Sequence, residues 1–365
     1  MTVQHRLDVW MGSSNRWLGG KLPRDNNFDL IRLFGAFQVV LFHTTAHFHA
    51  PLVPPVSRVL ALFPGVPIFF FISGLLVTSS LAQRSLSNYV EARARRIIPA
   101  LWLAFLLAVA ILAYFRQIEL TRQFALWVMT QITIFQVYNP GMFRDFGVGV
   151  VNGSLWTIPV EVGFYCILPI LVWSSACSRR RMTSILILAG AASFAVYCAT
   201  LGSKHLVSKL IYVTPVAHLW LFAIGALFYL YFAEAYSLAK RIPVVAPLAV
   251  YLAFGLIVAP HLERPLSLMI GTPLMLSAIF SLGVAAPPVA ATILRGTDIS
   301  YGVYVFHMLV VNFLVAEGLG GWAAVLTAVG ATTAIAWCSW TFVESRALGR
   351  RPFGRAPLKP AEVAP

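Results

Sequence analysis

Phe28 to His49 reads FDLIRLFGAFQVVLFHTTAHFH. The run is long and apolar enough to cross a bilayer as a helix, which takes roughly 20 mostly apolar residues. It nevertheless carries Arg32 near its start and His43 near its end. At about 100° per residue, eleven positions return a helix to within roughly 20° of the same face. Arg32 and His43 therefore point the same way, about 16 Å apart along the axis. Ionisable side chains inside a span are costly and by default mark a site or a pathway. The alternative is that both merely pack between helices, where apolar residues would serve without penalty.

The rest of the chain extends this pattern. Its 365 residues are 59% hydrophobic and 11% charged, with mean hydropathy +0.79, which excludes an ordinary soluble domain. Apolar runs near 20 residues recur, whereas a barrel would show short alternating segments. The expected fold class is an all-α integral membrane protein, multi-pass in the cell (inner or plasma) membrane. Met1 to Asn27 is mixed and polar, without the apolar core of a signal peptide. It reads as a cytoplasmic N-terminal segment, 1–27, and the first span serves as its own insertion signal.

Expected spans are 28–49, 60–81, 98–115, 154–173, 184–201, 211–232, 244–260, 266–285, 299–317 and 322–343. Phe124 to Tyr138 is short and carries two glutamines, which suits an interfacial or re-entrant element. About ten transmembrane helices result, with the N- and C-termini cytoplasmic. On that topology nineteen of the 27 lysines and arginines fall on the cytoplasmic side, as the positive-inside rule requires. The net charge of +14 is then explained by topology and anionic lipid, and no nucleic acid partner is expected. The segment 344–365 reads as a basic, Pro-rich cytoplasmic tail. The four cysteines show no metal-type spacing, and the His43–His47 pair lacks a visible third ligand, so no metal site is expected.

Placed on this topology, the polar groups form a ladder. Arg93, Arg95 and Arg96 stand in a loop at the cytoplasmic entrance of the third span, with Arg32 about one turn inside the first. Glu161 enters from the other side and reaches a depth similar to that of His43. Tyr301, Tyr304 and His307 lie at i, i+3 and i+6, a helical stripe that packing alone would also produce. A basic mouth attracts an anionic, phosphorylated ligand, and Arg suits phosphate through bidentate hydrogen bonds. A neutral buried imidazole keeps a nitrogen free to take a proton, and a neighbouring carboxylate can fix its tautomer. These are the parts needed to deprotonate a hydroxyl that attacks an activated acyl group. His218 reads as a satisfied packing residue. A transporter or flippase of a polysaccharide precursor, or a membrane scaffold, would use the same polar groups without bond making.

Five pieces in order resemble the membrane-bound acyltransferase 3 family from Phe28 to about Glu344: FDLIRLFGAFQVVLFH, GVPIFFFISGLL at 65–76, RARRIIPALW at 93–102, GSLWTIPVEVGFYCILP at 153–169 and ISYGVYVFH at 299–307. The resemblance makes 28–343 an acyltransferase-3-like transmembrane domain. It implies transfer of an acyl group, usually acetyl from acetyl-CoA, to a hydroxyl of a carbohydrate or lipid-linked sugar. Acyl-CoA is a co-substrate, and no cofactor is bound permanently. By this resemblance His43 is the catalytic base and Arg32, Arg93 and Arg96 bind the acyl donor; Glu161 matches a family position and, by its depth, is read as the second catalytic residue. Ser73, Gly74, Tyr301, Tyr304 and His307 match supporting positions. No second catalytic domain is expected beyond the last span, so acceptor choice falls to the membrane domain and its outer loops.

Overall fold

The computed structural model describes residues 22–23, 25–175 and 178–350. Most of the segment 1–27, Cys177 and the tail from residue 351 lie outside the described residues. Helices are the only regular elements among the described residues, because a backbone in lipid must satisfy its polar groups internally.

The α-helices of more than one turn, in chain order, are α1 (Phe28–His47), α2 (Pro54–Leu62), α3 (Gly65–Ala82), α4 (Leu86–Tyr114), α5 (Arg122–Gln131), α6 (Thr157–Ser174), α7 (Arg179–Thr200), α8 (Leu206–Tyr212), α9 (Pro215–Leu230), α10 (Phe232–Arg241), α11 (Val245–Ala253), α12 (Arg264–Val284), α13 (Val289–Leu294), α14 (Ser300–Ala316) and α15 (Gly321–Ser339). Seven helices among the described residues are long and apolar enough to cross a membrane, or eight if the pair Phe232–Arg241 and Val245–His261, bent by 90°, makes one span. The shorter apolar helix α14 falls outside that set, and so does α1, whose apolar run is diluted by Asp29, Arg32, Gln38 and His43.

The expected spans 60–81 and 211–232 correspond to the single crossing-length stretches Pro54–Ala82 and Leu206–Leu230, each of which carries a joint. The apolar run 60–81 is jointed at Phe63 and Pro64, between α2 and α3, because proline offers no N–H to continue a helix. The run 211–232 is jointed in the same way before Pro215, between α8 and α9. Contrary to expectation, Arg93 and Arg96 are not in a loop. Ser85 accepts a hydrogen bond from the Asn88 N–H and starts α4 at Leu86, which puts both arginines on one helical face, three residues apart. The stretch 124–138 behaves as expected of a non-crossing element, since α5 stops after ten residues. There the Gln136 amide donates to the carbonyls of Gln131 and Thr133.

α14 is the buried centre. Every residue from Ser300 to Asn312 is buried, as expected of a helix apolar on all sides, and it packs on α1, α4 and α15. Its most intimate polar neighbour is the loop before α6. Asn312 donates to the Val150 and Val151 carbonyls at 2.8 and 3.0 Å, and Asn152 donates to the Val305 carbonyl at 2.9 Å. α3 packs on both α1 and α6. It meets α9 so closely that a Cβ on Gly74 would collide with the Phe222 carbonyl, and one on Gly225 with the Phe71 carbonyl. Small residues allow this approach where lipid gives no hydrophobic drive for association. Asn27 bolts the start of α1 in place, donating to the Leu282 and Pro287 carbonyls and accepting from the Ala290 N–H.

Candidate active site

At one end of the bundle, α1, α4 and the entry to α14 bring their charges to one point. Asp298 Oδ2 lies 3.0 Å from Arg32 Nη1 and 2.8 Å from Arg96 Nη2. Its other oxygen accepts from the Ser300 hydroxyl at 2.6 Å. Asp298 is 4% exposed, and a carboxylate so placed must be paired. Burial alone would raise its pKa, but Arg32 and Arg96 outweigh that and hold the carboxyl well below the usual carboxylate range. Arg96 also stands 5.5 Å from the centre of the Tyr301 ring, and Arg93 stands 5.6 Å from that of Tyr165, distances suited to cation–π attraction. Arg93 has only a long hydrogen bond, 3.4 Å, to the Ser80 hydroxyl, and its Nε is buried without a hydrogen-bond partner among the described residues.

A cavity of about 530 Å³ opens among these groups. Arg32, Arg84, Arg93, Arg95, Arg96 and Arg350 stand at its charged end with Asp29, Glu91 and Asp298, and Val66, Phe69, Phe70 and Ile158 line its apolar end. Between them are Ser73, Glu161 and Tyr165. Glu161 accepts from the Tyr165 hydroxyl in a short hydrogen bond and from Ser73 Oγ at 3.5 Å.

Beyond the apolar end lies the histidine pair. His43 Nδ1 is 2.8 Å from His307 Nε2, and His307 Nδ1 is 2.7 Å from the Tyr304 carbonyl. A carbonyl only accepts, so His307 Nδ1 carries a hydrogen and, in the neutral ring, Nε2 is the acceptor. His43 Nδ1 must then donate, which leaves His43 Nε2 as a free lone pair. No hydrogen bond engages that atom among the described residues.

The sequence-predicted residues thus fall into two groups. Arg32, Arg93, Arg96, Ser73, Glu161, Tyr301 and Tyr304 line the cavity. His43 and His307 lie past it, His307 only three residues beyond Tyr304. Gly74 instead serves the α3–α9 contact. The expected neighbour of His43 is corrected: its hydrogen-bond partner is His307, whereas Glu161 bonds to Ser73 and Tyr165. The reason is the position of α3, which packs against both α1 and α6. Asp298 was not anticipated. Its signal was an acidic residue, in TDISY, directly before a span.

A model of the acyltransferase domain of the acyltransferase 3 family matches residues 25–343. The chain belongs to the acyltransferase 3 family. Nodulation protein 10 of Rhizobium leguminosarum bv. viciae is 31% identical over 93% of this chain and 97% of its own length. The O-acetyl transferase of Shigella phage Sf6 is 26% identical over 90% of this chain and 98% of its own. No solved structure matches. The protein is a multi-pass membrane enzyme that transfers acyl groups. Chemically, a cavity with a charged mouth and an apolar end can hold an amphiphilic ligand, and an imidazole with one free nitrogen can take a proton.

Proposed function

We propose that this acyltransferase moves an acyl group, acetyl by family default, from acyl-CoA to a hydroxyl of a carbohydrate or lipid-linked sugar in the cell membrane. The chain crosses ten times, with both ends in the cytoplasm and the arginine-lined mouth facing it. The observation that carries this reading is the cavity's polarity. Six arginines, outnumbering the carboxylates Asp29, Glu91 and Asp298 beside them, stand at one end and apolar side chains at the other, one helical turn short of the His43–His307 pair. That gradient matches a ligand with a phosphorylated head and a slender arm ending in a thioester. Arg93, whose Nε has no partner of its own, and the exposed Arg84 and Arg95 receive the phosphates. Arg32 and Arg96, shared with Asp298, set the shape and potential of the entrance. Glu161 accepts from the donor's amide N–H groups alongside Ser73.

His43 Nε2 takes the acceptor's hydroxyl proton as the oxygen attacks the thioester carbonyl carbon. The C–S bond breaks, the acyl group stays on the acceptor oxygen, and the CoA thiolate receives the proton. General-base assistance of this kind contributes about 10²–10⁴-fold. The test is mass spectrometry of cell-envelope glycans with and without the protein, together with thiol release from acetyl-CoA by membrane vesicles that contain it. Loss of one acyl group per repeat and protein-dependent thiol release are expected. Glycans of unchanged mass, with no thiol released, would remove the proposal.

A further inference from the structure

Two aromatic rings that line the apolar end of the cavity are held in different ways. The lining follows one stripe of α3, from Val77 through Ser73, Phe70 and Phe69 to Val66. Eleven residues at 1.5 Å each make a path of roughly 16 Å. Tyr304 ends that path from the α14 side. Its hydroxyl donates to the Ser154 carbonyl at 3.0 Å and accepts from the Thr157 hydroxyl at 3.0 Å. Its polar atom is thus satisfied internally, and the ring is pinned to the turn before α6. Phe69 meets the Tyr304 ring edge-on at 5.6 Å. Its other side lies against Gly35 of α1, where a Cβ would sit 3.7 Å from the Phe69 ring. Phe69 therefore fills the gap between α1 and α14 through apolar contact alone, and no hydrogen bond holds it.

We propose that Phe69 is the specificity-determining residue that limits the length of the acyl group, acting as the movable floor of the donor cavity. This rests on the acyl-CoA reading above. With Thr157 and Tyr304 bonded to each other, the end of the cavity offers a ligand only apolar contact with Val66, Phe69, Phe70 and Ile158. An acyl tail is the part of a thioester donor that such walls receive. Each added methylene needs room in a packed site, and a ring that blocks it excludes longer chains. Removing the ring opens space toward Gly35, which has no side chain to refill it.

The experiment uses membrane vesicles carrying the full-length protein and their native acceptor, with acetyl-, butyryl- and hexanoyl-CoA as probes and thiol release as readout. Vesicles lacking the protein set the background. Wild type should favour acetyl-CoA. Phe69→Ala should raise the hexanoyl-to-acetyl rate ratio at least about tenfold, and Phe69→Leu, which keeps most of the packing, should raise the butyryl-to-acetyl ratio several-fold. Unchanged ratios in both variants, whether the three rates hold at the wild-type level or fall together through lost packing, would overturn the inference and leave the donor reading intact. Failure of wild type to release thiol from any of the three would overturn the donor reading and the inference with it.

Discussion

His43 Nδ1 lies 2.8 Å from His307 Nε2, so the ring on the opening helix is oriented by a ring on the most buried one. Eleven residues earlier on α1, Arg32 meets Asp298, two residues before α14, at 3.0 Å. Two contacts in the same order along the sequence mean that α1 and α14 run parallel, fastened at the start of α14 and at its middle. The lower contact is ionic and the upper one holds a tautomer. On the proposed mechanism His307 is therefore a positioning residue for His43.

Replacing His307 by Ala should reduce kcat by about 10²-fold or more, with little change in the donor KM, because the free imidazole of His43 loses its orienting partner while the cavity is untouched. Steady-state kinetics with acetyl-CoA as the varied substrate measures both. An unchanged kcat would remove His307 from the relay.

Asp298→Ala should destabilise the protein by about 3–5 kcal/mol, the usual penalty for leaving one side of a buried ion pair unpaired. Thermal unfolding in detergent reads this directly. The pH dependence follows from the sign of the shift. The folded carboxyl lies well below the usual range, so its stabilisation is present above the unfolded value near pH 4 and lost only as pH falls through the lower folded one. Between about pH 5 and pH 9 the wild-type transition should carry no contribution from Asp298 titration. A stability step in that window that vanishes in Asp298→Asn would contradict this.

Arg93→Ala should act on the donor side alone. Its guanidinium has one long hydrogen bond and a ring contact to give up, so little stability depends on it. The donor KM should rise about tenfold, as expected for a charge-assisted phosphate contact, with kcat nearly kept. A KM that stays at the wild-type value would clear Arg93 of donor binding.

Gly74→Ala should weaken the bundle rather than the chemistry. The new methyl would meet the backbone carbonyl of Phe222, which has no rotamer to yield. Overpacking of this kind typically costs about 1–3 kcal/mol. A lowered Tm with unchanged kcat in the surviving enzyme is expected. The reverse pattern would make Gly74 a reaction-site residue.

The features legible in the sequence were those that a single helix encodes. Arg32 and His43 on one face, the short stretch at 124–138 and the Tyr301–Tyr304–His307 stripe all depend on local spacing, and each fits the structure. What stayed hidden were pairings between distant elements. Asp298 lies 266 residues from Arg32, and no local period signals such a bond. His43 and Glu161 do reach similar depths by residue count, yet depth says nothing about which helix stands between. α3 does, and it gives Glu161 to Ser73 while His43 turns to α14. The start of α4 was missed because charged residues were read as loop. The Ser85 cap and the Arg95–Glu91 ion pair at 2.5 Å let them continue a helix.

The central claim is that His43 Nε2 is the base, and His43→Ala tests it most directly. The variant should insert at wild-type level with a modestly lowered Tm, because His43 is partly exposed while the buried His307 Nε2 loses its hydrogen-bond donor. Thiol release from acetyl-CoA in vesicles should then fall to the level of vesicles without the protein. A normally inserted variant that transfers acyl groups at the wild-type rate would contradict the account.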